Sequence, residues 1–382
     1  MIILSGGVIL SKLNLTIPTL LGTEQVVAFE VKELGYEISK VDNGTVSFVG
    51  DEEAIAVLNV NLRAAERVLI KLSSFRADTF DMLFEGVRAI HWEDYLPPDA
   101  QFPVTGYALK SKLHSVPDCQ SIVKKAIVER LSKKYGITGR LEETGGMYPV
   151  RFAIMKDVAT IYIDTSGTSL YKRGYRVESV LAPMRETLAF SMVSLSFWKG
   201  DRPFLDPFCG SGTIPIEAAL FATNRAPGIK RRFVAETWKN LMPIELWRDI
   251  RQEAKENEVH DRETKIFASD IDPEAIKIAK QNAENAGVLD KIHFEVKDVA
   301  DVKPFYEKGV ICCNPPYGER LMDARSCQAL YRTMGRKFDQ FKEAKKLILT
   351  SHEQFEKYYG KIADKRRKLY NGMLKCYVYH YF

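Results

Sequence analysis

Apolar positions recur at helical spacing most clearly between residues 119 and 135. There Cys119, Ile122, Val123, Ala126, Ile127 and Leu131 form one stripe. Pro117 and Asp118 supply its start signal and Gly136 its stop. A second helix is expected over 25–34, halted by Gly35, and Val46-Ser47-Phe48-Val49 reads as a strand. Residues 151–155 and 159–163 read as two more. The chain up to residue 165 is therefore expected to form two α+β units, 1–60 and 61–165, followed by a linker over 166–184.

From residue 185 to 382 strands and helices alternate. Phe204-Leu205 leads through a glycine turn to a helix over 214–221. Strands are expected at 266–269, 293–296, 310–313 and 347–349, and helices at 273–285 and 328–341. Pro273 occupies a favoured first helical position. In the tail, Asn371-Gly372 between two strand-like runs signals a hairpin. Alternation closed by a hairpin predicts an α/β fold: a Rossmann-like, doubly wound sheet with one antiparallel strand.

Composition narrows the class. Of 382 residues 46% are hydrophobic and 27% charged, which excludes collagen-like, disordered and disulfide-scaffold chains. Six cysteines without a C-x-x-C spacing argue for a reducing compartment and against a zinc ribbon. The apolar start lacks a basic n-region and a small-residue cleavage site, and no run approaches the roughly 20 residues of a membrane span, so a cytoplasmic location is expected. The net charge of +5 is unevenly placed: residues 110–140 hold eight Lys/Arg against Asp118 and Glu129. Lys110, Lys112, Lys124 and Lys125, with Lys172, Arg173 and Arg176 further on, are candidates for a polyanion-binding surface. The alternative for each cluster is an ordinary solvated face.

Four segments carry candidate chemistry, each following a strand. Asp206-Pro207-Phe208-Cys209-Gly210-Ser211-Gly212-Thr213 is a glycine turn headed by an acid. It lacks the dinucleotide G-x-G-x-x-G and the Gly-Lys-Ser/Thr of a triphosphate loop. An uncharged turn with an acid suits S-adenosylmethionine, which carries an amino group and a sulfonium but no phosphate. In Ser269-Asp270-Ile271-Asp272, Asp270 is placed to accept ribose hydroxyls and Asp272 to cap the next helix. Asp298, before Val299, is a candidate acceptor for the adenine amine or else a turn residue. Asn314-Pro315-Pro316-Tyr317 points to the reaction. The Asn314 side-chain oxygen and the Pro315 carbonyl can accept both hydrogens of a planar exocyclic amine, and Tyr317 can stack on its base. Two fixed acceptors favour a tetrahedral nitrogen with its lone pair aimed at a methyl donor. The six histidines are dispersed, with no pair at metal-ligand spacing, so no metal is expected.

These motifs resemble those of the THUMP-domain RNA guanine-N2 methyltransferases, particularly the bacterial large-subunit ribosomal RNA enzymes. The similarity covers nearly the whole chain: Pro18 to Glu24 and Phe29 to Tyr36, Leu113 to Ile127, Asp164 to Gly167 with Lys172 to Arg176, Ala182 to Ala189, and Asn314 to Leu321. The first dozen residues do not resemble the family's start. The resemblance implies a ferredoxin-like domain, a THUMP domain and a methyltransferase domain with strand order 3-2-1-4-5-7-6. It also implies S-adenosylmethionine as cofactor and RNA, 23S ribosomal RNA or a large-subunit precursor, as partner. Carried onto this chain, the cofactor site comprises Asp206, Phe208, Cys209, Gly210, Ser211, Gly212, Thr213, Glu186, Thr187, Asp270, Ile271, Asp298 and Val299, and Asn314 to Tyr317 take the target base. Two alternatives stay open: an adenine-N6 nucleic-acid methyltransferase, since such enzymes share the Asn-Pro-Pro-Tyr loop, and a non-catalytic RNA-binding assembly factor.

Overall fold

The computed structural model describes residues 12–176, 184–305, 308–317, 324–372 and 374–382. The start that departs from the family pattern (1–11), Ala182-Pro183 and Gly318 to Leu321 of the quoted motifs lie outside the described residues.

The first half runs β1 (Leu13–Pro18), α1 (Glu24–Glu33), β2 (Ile38–Asp42), β3 (Thr45–Gly50), α2 (Glu52–Asn61), β4 (Leu69–Arg76), α3 (Phe80–Arg88), β5 (Val104–Leu109), α4 (Val116–Tyr135), β6 (Val150–Met155) and β7 (Val158–Asp164). The stripe of α4 is buried as its periodicity predicts, and Gly136 ends the helix at φ +66°. The two expected α+β units share one sheet, ordered β2-β3-β1-β4-β7-β6-β5. β4 is common to both: Leu69 and Ile70 pair with β1, while the strand pairs with β7 along its length.

The second half runs α5 (Glu186–Leu195), β8 (Phe204–Asp206), α6 (Thr213–Ala222), α7 (Ile244–Glu256), β9 (Ile266–Asp270), α8 (Pro273–Ala286), β10 (Ile292–Val296), β11 (Gly309–Cys313), α9 (Ala324–Phe338), β12 (Ala344–Thr350), α10 (Phe355–Tyr359), β13 (Lys365–Asn371) and β14 (Leu374–Tyr381). The sheet order is β10-β9-β8-β11-β12-β14-β13, with β14 antiparallel to both neighbours. Counted from β8, that is the 3-2-1-4-5-7-6 order. Helix α9 begins a turn earlier than its apolar pattern indicates.

One segment departs from the sequence expectation. The residues between α6 and β9 fold back onto the first half, so Phe233, Trp238 and Trp247 belong to the core built around β1–β7. α7 buries Trp247, Ile250 and Ala254 and packs on α2. Trp238 stacks on Tyr148 at 4.9 Å and donates its indole N–H to the Met147 carbonyl at 2.7 Å. An amphipathic helix must bury its stripe, and α2 offered the free apolar flank.

The halves are further joined by buried ionic contacts. Arg173 is a candidate RNA contact by sequence, but its guanidinium is enclosed: it pairs with Glu217 of α6 at 3.4 Å and donates to the carbonyls of Leu170 and Arg63. Its burial removes it from any RNA surface. Tyr175 donates to Glu217 at 3.2 Å. Glu30 of α1 accepts the backbone N–H groups of Arg63 and Ala64 at 2.8 and 2.9 Å, and burial pushes its carboxyl up to about 7. Arg63 lies near the rings of Phe190 and Phe221. Removing one partner of such a buried pair strands the other charge. Glu217→Ala is therefore expected to lower unfolding free energy by about 3–5 kcal/mol in denaturant titration, a larger loss than Lys40→Ala in the exposed Lys40–Asp42 pair.

Candidate active site

β8 ends at Asp206, and the chain turns through 207–212 into α6. Gly212 has φ +84°, and a Cβ there would stand 3.0 Å from the Ala279 methyl of α8. Gly210, at φ +50°, has nothing within 4 Å of where a Cβ would be, so its open side admits a ligand close to the backbone. Asp270 fixes the turn: one carboxylate oxygen accepts the Gly210 N–H at 2.9 Å and the other the Asp272 N–H at 3.1 Å. Cys209 donates to the Ser269 carbonyl, and Asn282 to that of Ser211.

Asp206 accepts the Phe208 N–H at 3.1 Å through one oxygen. Its other oxygen is buried without a hydrogen-bond partner among the described residues. Burial pushes this carboxyl well above the usual carboxylate range. A buried orphan acceptor is costly unless something completes it.

The remaining predicted cofactor residues divide. Ile271 is 67% exposed beside Asp270, and Phe208 is half-buried. Asp272 caps α8 through the Glu274 N–H, and Asp298 caps the short turn Val299–Asp301 through the Ala300 N–H at 2.8 Å. The Val299 side chain packs in the core with Leu205 and Ile311, which leaves its backbone toward any ligand. Glu186 opens α5 and pairs with Arg176 at 3.3 Å. Burial lifts the Glu186 carboxyl to about 7 against the pull of that cation. Two expectations need correcting. Arg176, expected on the RNA surface, also donates to Thr213 Oγ1 and the Met184 carbonyl, so it braces the glycine turn. Thr187, expected at the cofactor, is buried and donates to Glu66 at 2.7 Å; Arg185 donates to the same carboxylate at 2.9 Å, a clamp between the halves.

β11 is buried throughout and delivers Asn314 to Tyr317 beside β8. Asn314 Oδ1 is likewise buried without a hydrogen-bond partner among the described residues, as is Ser269 Oγ. The loop behind it is braced. Tyr331 of α9 donates to the Pro316 carbonyl at 3.0 Å and meets Thr350 Oγ1 at 3.2 Å. The Tyr317 hydroxyl accepts from Asn371 Nδ2 at 3.2 Å. Sequence reasoning missed Tyr331, Thr350, Asn371 and Glu66 as site supports. Asn371 is visible in the sequence only as a turn residue and Tyr331 only as part of the helix expected over 328–341.

The basic surface is partly self-neutralised. Lys124 pairs with Glu143 at 2.6 Å and lies over the Phe102 ring, and Lys112 pairs with Asp78 at 3.0 Å. Arg130 and Lys134 converge on Glu93. Lys110, Lys125, Lys133 and Lys172 are exposed. Among the described residues no group of three or more His, Cys, Asp or Glu is arranged to hold a metal, and no helix is long and apolar enough to cross a membrane.

Comparison with known proteins places this geometry. Residues 173–380 match the RMKL-like methyltransferase domain, 14–69 the RlmL ferredoxin-like domain and 77–164 the THUMP domain. YpsC of Bacillus subtilis, provisionally named an RNA methyltransferase, is 50% identical over 95% of this chain and 94% of its own length. Ribosomal RNA large subunit methyltransferase K/L of Psychromonas ingrahamii is 35% identical over 97% of the chain, which spans only 50% of that longer protein. Among solved structures, SMU.472, provisionally a methyltransferase and complexed with SAH, superposes with TM-score 0.92 at 41% identity, covering 97% of this chain and 98% of its own. A Listeria monocytogenes protein described as a predicted N6-adenine-specific DNA methylase superposes with TM-score 0.91 at 50% identity, covering 97% and 96%.

Proposed function

Because this chain belongs to the RMKL-like methyltransferases that carry an RlmL-type ferredoxin-like domain and a THUMP domain, we propose that it methylates the exocyclic N2 amine of a guanine in large-subunit ribosomal RNA, with S-adenosylmethionine as donor. The observation that carries this reading is the pair of buried acceptor oxygens of Asp206 and Asn314, which have no hydrogen-bond partner among the described residues and are set at the ends of adjacent strands. One meets a cationic, phosphate-free cofactor and the other an amine.

The residues fit the cofactor. Asp206 to Thr213 would hold its methionine end, with Glu186 and Arg176 behind the turn. Asp270 and Ile271 would hold the ribose side, and Asp298 with the Val299 backbone the adenine. When bound, S-adenosylmethionine supplies an activated methyl group on a sulfonium. Asn314 Oδ1 and the Pro315 carbonyl accept the two amine hydrogens and hold the nitrogen lone pair toward that methyl. They would keep the nitrogen in place while its lone pair takes the methyl group, the S–CH3 bond breaks with its electron pair left on sulfur, and the nitrogen's proton leaves to water. Tyr317, restrained by Asn371, stacks on the base. Reaching it requires flipping the nucleotide at a cost of a few kcal/mol, which Lys110, Lys125, Lys133 and Lys172 offset through phosphate contacts.

Labelled methyl transfer to unmodified bacterial ribosomal RNA, followed by nucleoside analysis, tests the assignment. N2-methylguanosine is expected, with Asn314→Ala lowering turnover by about 10²–10³-fold and leaving cofactor affinity near wild type. N6-methyladenosine would overturn the base assignment in favour of adenine. Absence of any product on free RNA and on large-subunit particles would overturn the enzymatic reading.

The raised Asp206 carboxyl predicts a pH linkage. A cationic ligand prefers the ionised carboxylate, so binding below the raised pKa must release a proton and affinity must climb with pH. Calorimetry in two buffers of different ionisation heat should detect the release, and Asp206→Asn should diminish it.

Lys125→Glu/Lys133→Glu is expected to weaken RNA binding and reduce the slope of log K against log salt by about 2. An unchanged slope would place the RNA elsewhere.

A further inference from the structure

Near the start of β12, away from the strand ends that carry Asp206 and Asn314, lies an open cleft of about 490 Å³ between α9 and α10. That volume is within the range of small-molecule sites and far larger than a single inorganic phosphate needs. Two glycines shape it. A Cβ on Gly335 of α9 would collide with the Tyr359 carbonyl oxygen, so glycine lets the end of α10 close against α9. Gly360, at φ +84°, then turns the chain away.

The lining is strongly cationic. Arg332, Arg336, Lys346 and Lys361 all face the cleft. Asp339 is the acid among its lining residues, and its carboxylate is paired with Lys342 at 2.9 Å. Lys346 is buried with its ammonium anchored to the Phe341 carbonyl at 2.8 Å. Burial first, then the neighbouring charge of Lys361, pulls its pKa down, with Asp339 opposing the shift and Lys342 adding to it. An anion in the cleft would relieve it. Arg332 lies over the Tyr358 ring at 5.2 Å, presenting a guanidinium plane backed by an aromatic one. Such a plane is a platform for a nucleobase.

We propose that this cleft is a second nucleotide site, taking a phosphate against Lys346, Lys361 and Arg336 and a base against Arg332 and Tyr358. The nucleotide is either free or part of the RNA strand outside the target base. The RNA source rests on the reading given under Proposed function, whereas nucleotide binding itself does not. Lys346 and Thr350 are separated by four residues of β12, about 13 Å, and Thr350 bonds Tyr331 behind the Asn314 loop.

The test uses the full chain saturated with S-adenosylhomocysteine, so that the cofactor site is closed to adenosine. Adenosine monophosphate, adenosine and a uridine trinucleotide are titrated by calorimetry against wild type and Arg336→Glu/Lys361→Glu. Both substituted side chains are exposed, and the melting temperature confirms folding. Adenosine monophosphate should bind at least tenfold more tightly than adenosine, and the double variant should lose at least tenfold. Loss of affinity for both phosphorylated probes assigns a nucleotide site open to either source. Loss for the trinucleotide alone assigns the source to RNA. If neither probe distinguishes wild type from the variant, the proposal is overturned. No methyl transfer is measured, so failure of the methylation reading leaves this result interpretable.

Discussion

Glu217 sits one turn into α6 with no exposed surface, and α6 begins in the turn that follows Asp206. Whatever holds Glu217 therefore holds that turn. The partner is Arg173, whose guanidinium also reaches the carbonyl of Arg63 in the first half of the chain. Burying these charges costs desolvation energy that their mutual attraction only partly returns. What the arrangement supplies is position. An ion pair with its remaining hydrogen bonds filled tolerates few geometries, whereas apolar surfaces can slide. Glu66 repeats the device at the start of α5, taking Arg185 and Thr187 on one carboxylate. The platform built around β1–β7 and the glycine turn after Asp206 are thus tied into one frame.

That frame holds in place acceptor oxygens that have no partners among the described residues. Asp206 Oδ2 and Asn314 Oδ1 are buried acceptors left open while their surroundings are closely tied. Asp270 holds the glycine turn through one oxygen and its own loop through the other, and Tyr331 and Asn371 hold the loop that carries Asn314. Under the proposed function, fixed acceptors are what an exocyclic amine would need from such a site.

Charge on the surface follows a different logic from charge in the core. The basic run at 110–140 looks uniform in one dimension, yet Lys112, Lys124, Arg130 and Lys134 each meet a carboxylate from another element. Only part of the apparent excess is available to a polyanion. The cleft beside α10 is the reverse case: its cations come from α9, β12 and the loop after α10, and no single stretch of sequence advertises them.

The amino-acid sequence by itself determined the local elements and their order. The stripe of α4, the Asn371-Gly372 hairpin and the alternation behind the 3-2-1-4-5-7-6 sheet are short-range patterns, set by side-chain period and turn chemistry. The strand-end motifs were legible for the same reason, because each sits where a parallel sheet delivers a loop. Tertiary structure alone decided that the two N-terminal units share β4, that 226–254 folds back onto them, that Arg173 and Thr187 are buried in contacts between the halves, and that Arg176 pairs with Glu186. Those outcomes depend on which distant surface an amphipathic helix or a long cation finds. Burial, not residue type, is what separates a guanidinium that grips RNA from one that holds a helix in place.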